Sequence, residues 1–264
     1  CGKANYKRTC RIINGDIVKP LYKYPWMVPL FKDSQLVCSG ALISKKYILT
    51  AARCFFRKES LKIMNCLGSN TTAECYNPMS NYTIHLLGKN KLRRKKSKIK
   101  RIVIHPRFNY IKAINDVALI ELKHPLECNK RTSPICLPTN KEMYKDGQKI
   151  FVAGWGKNDV FESEGHERLR EGVMKEIPSK YCKWYRLPNK TLQQYHCAVG
   201  TNQTSCYGDS GSSAFIQSEN RFYSLGIVSH GALRSCNPVY PVVFAKVLYF
   251  LNWIKKHVED LPEP

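Results

Sequence analysis

The sequence predicts an all-β fold closed by a single C-terminal helix, held together by disulfides in an oxidising compartment. The fold class rests on hydrophobic patterning. Segments such as Lys100-Arg101-Ile102-Val103-Ile104, Val117-Ala118-Leu119-Ile120-Glu121-Leu122 and Phe222-Tyr223-Ser224-Leu225-Gly226-Ile227-Val228 read as short strands between turns. Only the C-terminal stretch has helical spacing, which places Leu248, Leu251 and Ile254 on one face. The compartment rests on twelve cysteines, an even count with no CxxC pair, which favours disulfides over a metal cluster.

Several short motifs occur in a fixed order. Arg11-Ile12-Ile13-Asn14-Gly15 comes first, followed by Pro25-Trp26, Cys38-Ser39-Gly40 and Leu49-Thr50-Ala51-Ala52-Arg53-Cys54. Asn115-Asp116-Val117-Ala118-Leu119, Gly154-Trp155-Gly156, Gly208-Asp209-Ser210-Gly211 and Phe250-Leu251-Asn252-Trp253-Ile254 complete the series. Each is weak alone, but the ordered set is specific. From about Cys1 to about Val258 it resembles the trypsin/chymotrypsin family of serine proteases. That resemblance implies a double six-stranded antiparallel β-barrel with a C-terminal α-helix. It also implies an activation-peptide remnant over 1–11 and a protease-like domain over 12–264. The barrels would span about 12–130 and about 131–245, and the helix about 246–259.

One motif departs from the family at its chemical centre. The segment ending in Arg53-Cys54 carries arginine where the family carries the histidine base, so the triad positions read Arg53, Asp116 and Ser210. A serine hydroxyl is a poor nucleophile until a base takes its proton, and histidine titrates near neutrality. Arginine stays protonated and has no lone pair. Arg53 is therefore expected to pair with Asp116 and leave Ser210 un-activated, with the amides of Gly208 and Ser210 still able to form an oxyanion hole.

Other departures by resemblance agree. The family's Gly-Pro after the nucleophile motif is Ser212-Ser213 here, and its Ser-Trp-Gly is Ser229-His230-Gly231. The base of the specificity pocket is Thr204 instead of an acid. Val242 stands where a glycine keeps the pocket wall open, and a β-branched side chain there should partly fill it. His230 is the one histidine expected near the cleft, on its substrate side. His85, His105, His124, His166, His196 and His257 lack metal-ligand spacing, so neither metal nor cofactor is implied. Cleavage after Arg11 would free the Ile12 amine to pair with Asp209.

The resemblance also pairs Cys38 with Cys54, Cys182 with Cys197, and Cys206 with Cys236. Cys66 and Cys75 are close enough to staple their own loop. The family's activation-peptide bond favours Cys1–Cys136, which makes Cys10–Cys128 an added bond, although sequence alone does not decide among these four. Sequons at Asn70, Asn81, Asn189 and Asn202 agree with secretion. The sequence begins at a cysteine, which leaves room for a leader or upstream domain ahead of it.

Charge points to a partner. The formal net charge is +23, from 43 Lys and Arg against 20 Asp and Glu. Nine bases fall in thirteen residues with no acid: Lys89, Lys91, Arg93, Arg94, Lys95, Lys96, Lys98, Lys100 and Arg101. Thrombin-like members of the family carry an anion-binding exosite in this region. Such density works against folding through self-repulsion and favours polyanions, whose counterions are released on binding. A sulfated glycosaminoglycan or an acidic protein surface is the expected partner. A solvated loop and an anionic membrane or bacterial surface are the alternatives. Nucleic acid is disfavoured because no aromatics interleave the cations. Lys255 and Lys256 would form a second, smaller patch.

The expectation is a secreted, non-catalytic serine-protease homologue that acts as cofactor, decoy or regulator in an extracellular cascade. A cationic antimicrobial or leukocyte-signalling protein of the azurocidin kind, and an unusual active endopeptidase, are the competing readings.

Overall fold

The computed structural model describes residues 1–5, 16–20, 22–69, 71–86, 95–157, 168–185, 189–201, 203–231 and 236–264. After a short β1 (Asp16–Ile17), one antiparallel sheet takes β2 (Met27–Lys32), β3 (Gln35–Leu42), β4 (Tyr47–Thr50), β5 (Tyr82–Leu86), β6 (Lys95–Ser97), β7 (Ile99–Ile104) and β8 (Ala118–Leu122). Their spatial order is β6-β5-β2-β3-β4-β8-β7. The second sheet takes β9 (Lys149–Gly154), β10 (Arg170–Ile177), β11 (Tyr195–Gly200), β12 (Ser213–Ser218), β13 (Arg221–His230) and β14 (Val242–Lys246). It is ordered β1-β10-β11-β14-β13-β12-β9, and β9 also pairs with β10, so six strands close into a ring. Helix α1 (Val247–His257) follows β14 directly.

This is the all-β double barrel with a terminal helix that the sequence implies, with two differences in strand count. The seventh strand of the second sheet is β1, which pairs Asp16 with Glu171 and Ile17 with Arg170. It belongs in sequence to the span expected of the first barrel. The seventh strand of the first sheet arises because β6 and β7 are separate strands flanking Lys98.

Burial follows the pattern of each strand. In β5, Tyr82, Ile84 and Leu86 are buried while Thr83 and His85 are half-buried, the alternation of a strand with one face on the core. All five residues of β8 are buried. An aromatic cluster joins the two barrels: Trp26 and Tyr24, ahead of β2, meet Phe215 of β12 at ring distances of 5.5 and 4.9 Å. Such edge-on pairs add to the stabilisation from area burial alone. The helix buries Val247, Phe250 and Ile254, so the apolar stripe differs from the expected one: Leu248 and Leu251 are only half-buried. His105 packs against Phe250 and Trp253 at 5.6 and 5.2 Å. Burial, helped by Arg107 and His257, pushes its pKa down to about 4, so it is neutral at physiological pH.

Among the described residues five disulfides are formed: Cys1–Cys136, Cys38–Cys54, Cys66–Cys75, Cys182–Cys197 and Cys206–Cys236. Cys128 is an exposed free thiol, so the expected Cys10–Cys128 bond is not among them. Cys10 lies outside the described residues. The first residues are docked as well as tethered. Gly2 donates to Pro134 O at 2.8 Å and accepts from Phe222 N at 2.9 Å. A Cβ at Gly2, whose φ is +69°, would sit 2.6 Å from Phe222 O, so only glycine fits.

Within β8, Glu121 is a buried carboxylate in an otherwise apolar strand, and it is satisfied by three cations. Lys46 Nζ lies at 3.0 Å, Lys100 Nζ at 2.9 Å and Arg101 Nε at 2.5 Å. Burial pushes its pKa up, and hydrogen bonds from Lys100, Lys46 and Arg101 outweigh that and hold it at about 2. A depressed carboxyl pKa stabilises the fold above the unfolded value, and this contribution is lost as pH falls from about 4.5 to about 2. Glu121→Gln is expected to cost about 1–2 kcal/mol at neutral pH and to flatten the loss of stability over that acid range. Thermal unfolding as a function of pH checks both.

Candidate functional site

Strand β4 delivers the chain to Arg53. A 3-10 turn over Ala52–Cys54 follows it, pinned by the Cys38–Cys54 disulfide. Asp116 lies just ahead of β8, and Ser229 and His230 end β13. The three segments converge. Asp116 is fully buried, and its Oδ1 accepts from the backbone N of Arg53 at 2.9 Å. Its Oδ2 accepts from Arg53 Nε at 2.5 Å and from the hydroxyl of Ser229 at 2.5 Å. Arg53 Nη2 also reaches Ser229 Oγ at 3.3 Å.

Ser229 has one proton, and it goes to Asp116. The 3.0 Å contact between Ser229 Oγ and His230 Nδ1 is then a bond donated by the histidine, which fixes its Nδ1–H tautomer. Burial, together with Arg53, lowers the His230 pKa well below its usual value, so the ring is neutral. Arg53, Asp116, Ser229 and His230 thus form one network across both barrels. Ser229 is the link that sequence reasoning missed: it was visible only as the first residue of Ser229-His230-Gly231, and nothing in that tripeptide reports a contact with Asp116.

The nucleophile turn is held beside this network. Ser39 N donates to Ser210 O at 2.8 Å and Ser39 Oγ to Gly208 O at 3.2 Å. Gly208 and Gly211 adopt φ of +98° and +84°, where L side chains are strained. Among the described residues none hydrogen-bonds to Ser210 Oγ. Asp209 turns the other way and accepts from Gly156 N at 2.8 Å and Cys206 N at 2.9 Å. No cation among the described residues pairs with it, and burial pushes its pKa up to about 6. It lines a cavity of about 220 Å3 with Gly154, Gly156, Gln203, Thr204 and Ser205. Glycine is required at 156, because a Cβ there would lie 2.5 Å from the Asp209 carboxyl carbon. Arg11 and Ile12 lie outside the described residues.

Val242 is buried among Ile150, Val152, Met174 and Ala198. Its Cγ2 lies 3.6 Å from where a Cβ on Gly231 would stand, so its methyl abuts the strand beyond His230. Thr204 is half-buried and faces the Asp209 cavity.

The basic segment is only partly described. Lys89, Lys91, Arg93 and Arg94 fall outside the described residues. Lys95 pairs with Leu86 and Lys96 with His85 across β5 and β6, and Lys96 and Lys98 are exposed. Lys100 and Arg101, expected as free ligands for a polyanion, are instead paired to Glu121, although each side chain remains about half exposed (54% and 53%). Lys255 and Lys256 are exposed on α1. Of the sequons, Asn81 is half-buried in a turn ahead of β5 and Asn189 begins a 3-10 turn, while Asn70 and Asn202 lie outside the described residues. Among the described residues, no group of three or more His, Cys, Asp or Glu is arranged to hold a metal ion. No described helix is long and apolar enough to cross a membrane.

Two antiparallel barrels, with an acid, a serine turn and a third polar residue meeting between them, define the architecture of the chymotrypsin-like serine proteases. The chain belongs to the trypsin family, whose sequence profile matches residues 12–254. It is similar to phenoloxidase-activating factor 3 of Holotrichia diomphalia, at 32% identity over 90% of this chain and 70% of that protein.

The buried pair makes a stability prediction. Arg53 is 15% exposed and Asp116 not at all. Removing one partner of a buried ion pair strands the other charge. Arg53→Ala is expected to cost about 2–4 kcal/mol, less than the full penalty because the backbone N of residue 53 and Ser229 still serve Asp116. Denaturant unfolding would measure it.

Proposed function

We propose that this chain is a secreted, non-catalytic serine-protease homologue that works by binding, as a cofactor, decoy or regulator within an extracellular proteolytic cascade. The observation that carries the reading is the engagement of Asp116 by Arg53. A guanidinium cannot accept the Ser210 proton, and loss of the base from a serine-protease triad costs about 10⁶-fold in turnover. The depressed basicity of His230, whose lone-pair nitrogen Nε2 is buried and lies near the Arg53 charge, supports the view that it is no substitute base. The Val242 methyl beside Gly231 supports a second, independent loss at the specificity pocket. A fluorophosphonate probe is expected to leave Ser210 unlabelled under conditions that label trypsin fully; a Ser210 adduct would restore the protease reading.

Ten of the eleven described cysteines in disulfides support an oxidising, extracellular setting. A cascade role draws on the likeness to an activating factor of phenoloxidase. The proposed ligand is a polyanion, either a sulfated glycosaminoglycan or an acidic protein surface, met by the Lys89–Arg101 segment. Changing Arg93, Arg94, Lys95 and Lys96 to Ser is expected to move elution from immobilised heparin to much lower salt. Early elution of both proteins would discard the polyanion.

Cleavage after Arg11 is proposed as a switch, with the freed Ile12 amine entering the Asp209 cavity. The raised Asp209 pKa means that a carboxylate with no described cation beside it destabilises the fold above about pH 6, and that stability is gained as pH falls toward 4. In the intact chain, Asp209→Asn should therefore be neutral or stabilising at pH 7 and should abolish that gain. In the cleaved chain the same change should destabilise, because it removes the amine's counterion. Calorimetry of both forms between pH 4 and 8 separates the two, and an equal effect in both would remove the Ile12–Asp209 contact.

A further inference from the structure

Three segments far apart in sequence bring unpaired lysines together at one end of the first barrel. Backbone hydrogen bonds fix the arrangement: Lys123 N donates to Lys98 O at 2.8 Å, Leu122 N to Lys46 O at 2.9 Å, and Leu126 N to Lys45 O at 2.8 Å. The chain leaving β8 is thereby sandwiched between the β6–β7 junction and the turn ahead of β4. Lys45, Lys98 and Lys123 are exposed, and among the described residues none of them pairs with an acid. Strands lie about 4.8 Å apart, so the outer two of these lysines are separated by roughly 10 Å. Beside them Glu121 gathers Lys46, Lys100 and Arg101, one negative charge against three positive. The cluster is therefore six cations around one buried carboxylate, with Asp260 near enough to act on Lys46.

Like charges on neighbouring strands repel, by up to about 1 kcal/mol per pair at contact in water. Among the described residues, no acid forms an ion pair with Lys45, Lys98 or Lys123 to offset it. We infer that these lysines form a preorganised track for a linear sulfated polysaccharide. The inference rests on the polyanion reading above and names both the residues and the ligand class.

Two features favour a polysaccharide over an acidic protein. None of the exposed large apolar side chains among the described residues falls in 44–47, 96–101 or 121–126. Protein interfaces concentrate their energy in aromatic and arginine anchors and are depleted in lysine. A row of lysines without an apolar anchor suits a flexible polymer whose binding is driven by counterion release. The track's position adds a consequence. Lys45 and Lys46 precede β4 and Arg53 follows it; Lys123 follows β8 and Asp116 precedes it. At about 3.3 Å per residue, the track lies roughly 15 Å from the ends of these strands that face the vestigial triad. A bound glycan would leave the cleft face open to a protein partner.

The test is titration with a heparin dodecasaccharide over a range of salt, using the full chain. Lys45→Ser with Lys123→Ser is expected to weaken binding about 10-fold near physiological salt and to reduce the salt slope by about two. Lys45→Arg with Lys123→Arg should retain binding, which separates charge from damage to the fold. Loss of affinity in the basic-segment variant beside native affinity in the Ser pair would overturn the track while leaving the polyanion reading intact. No binding by the native chain would overturn both. Equal losses against polyglutamate and heparin would transfer the surface to an acidic protein and overturn the polysaccharide.

Discussion

The structure turns on one buried carboxylate. Asp116 sits with no solvent access where two barrels meet, and a charge in that position requires a cation and hydrogen bonds. Arg53 supplies the cation and two of the bonds, and Ser229 of the second barrel supplies another. A histidine at the same position would leave its outward nitrogen free to serve a neighbouring hydroxyl. An arginine cannot, because every nitrogen it presents is a donor. Under the proposed reading, arginine at this position preserves the structural half of the triad, the neutralisation of the acid, without the half that moves protons. On that reading, a scaffold can keep its serine turn and its Asp116 segment beside an arginine because the acid is still neutralised.

The same physics recurs at the far end of the same strand. β8 carries a buried acid close to each end: Asp116 just before it, clasped by Arg53, and Glu121 within it, clasped by Lys46, Lys100 and Arg101. Each carboxylate draws cations from segments remote in sequence and so registers β4 and β7 against β8. At Glu121 the surplus of positive charge is left facing outward. At Asp116 it is absorbed, with Arg53 nearly buried. A common device thus leaves one face charged and the other close to neutral.

Much of this was legible in the sequence, and unevenly so. The barrel fold and the positions of Arg53, Asp116 and Ser210 could be read because ordered motifs and alternating apolar residues report local geometry directly. The helix face was misread by one position, since Val247 and Phe250 are chosen by what α1 packs against and not by periodicity alone. Strand β1 joins the second sheet although its residues fall within the span expected of the first barrel, because two residues carry no pattern that says which sheet they will join. The pairing of Lys100 and Arg101 with Glu121 was hidden because strand register brings them together across some twenty positions of sequence. Lys45, Lys46 and Lys123 were unremarkable for the same reason: no local window contains them all.

The distribution of charge relative to β4 and β8 bears on how such a molecule would act in a cascade. A protein that bound its polyanion across the triad face would compete with its own protein contacts there. The strands prevent this, because each runs from the lysine end to the triad end and holds the two surfaces apart by its own length. Under the proposed reading, a polyanion held at Lys45, Lys98 and Lys123 and a protein held at the cleft would be bound at once. Their coupling would then arise mainly from raised local concentration on a shared polymer, without any conformational signal passing through the barrel. On that reading, the division suits a chain that keeps the family's barrels while Arg53 holds its buried acid in an ion pair.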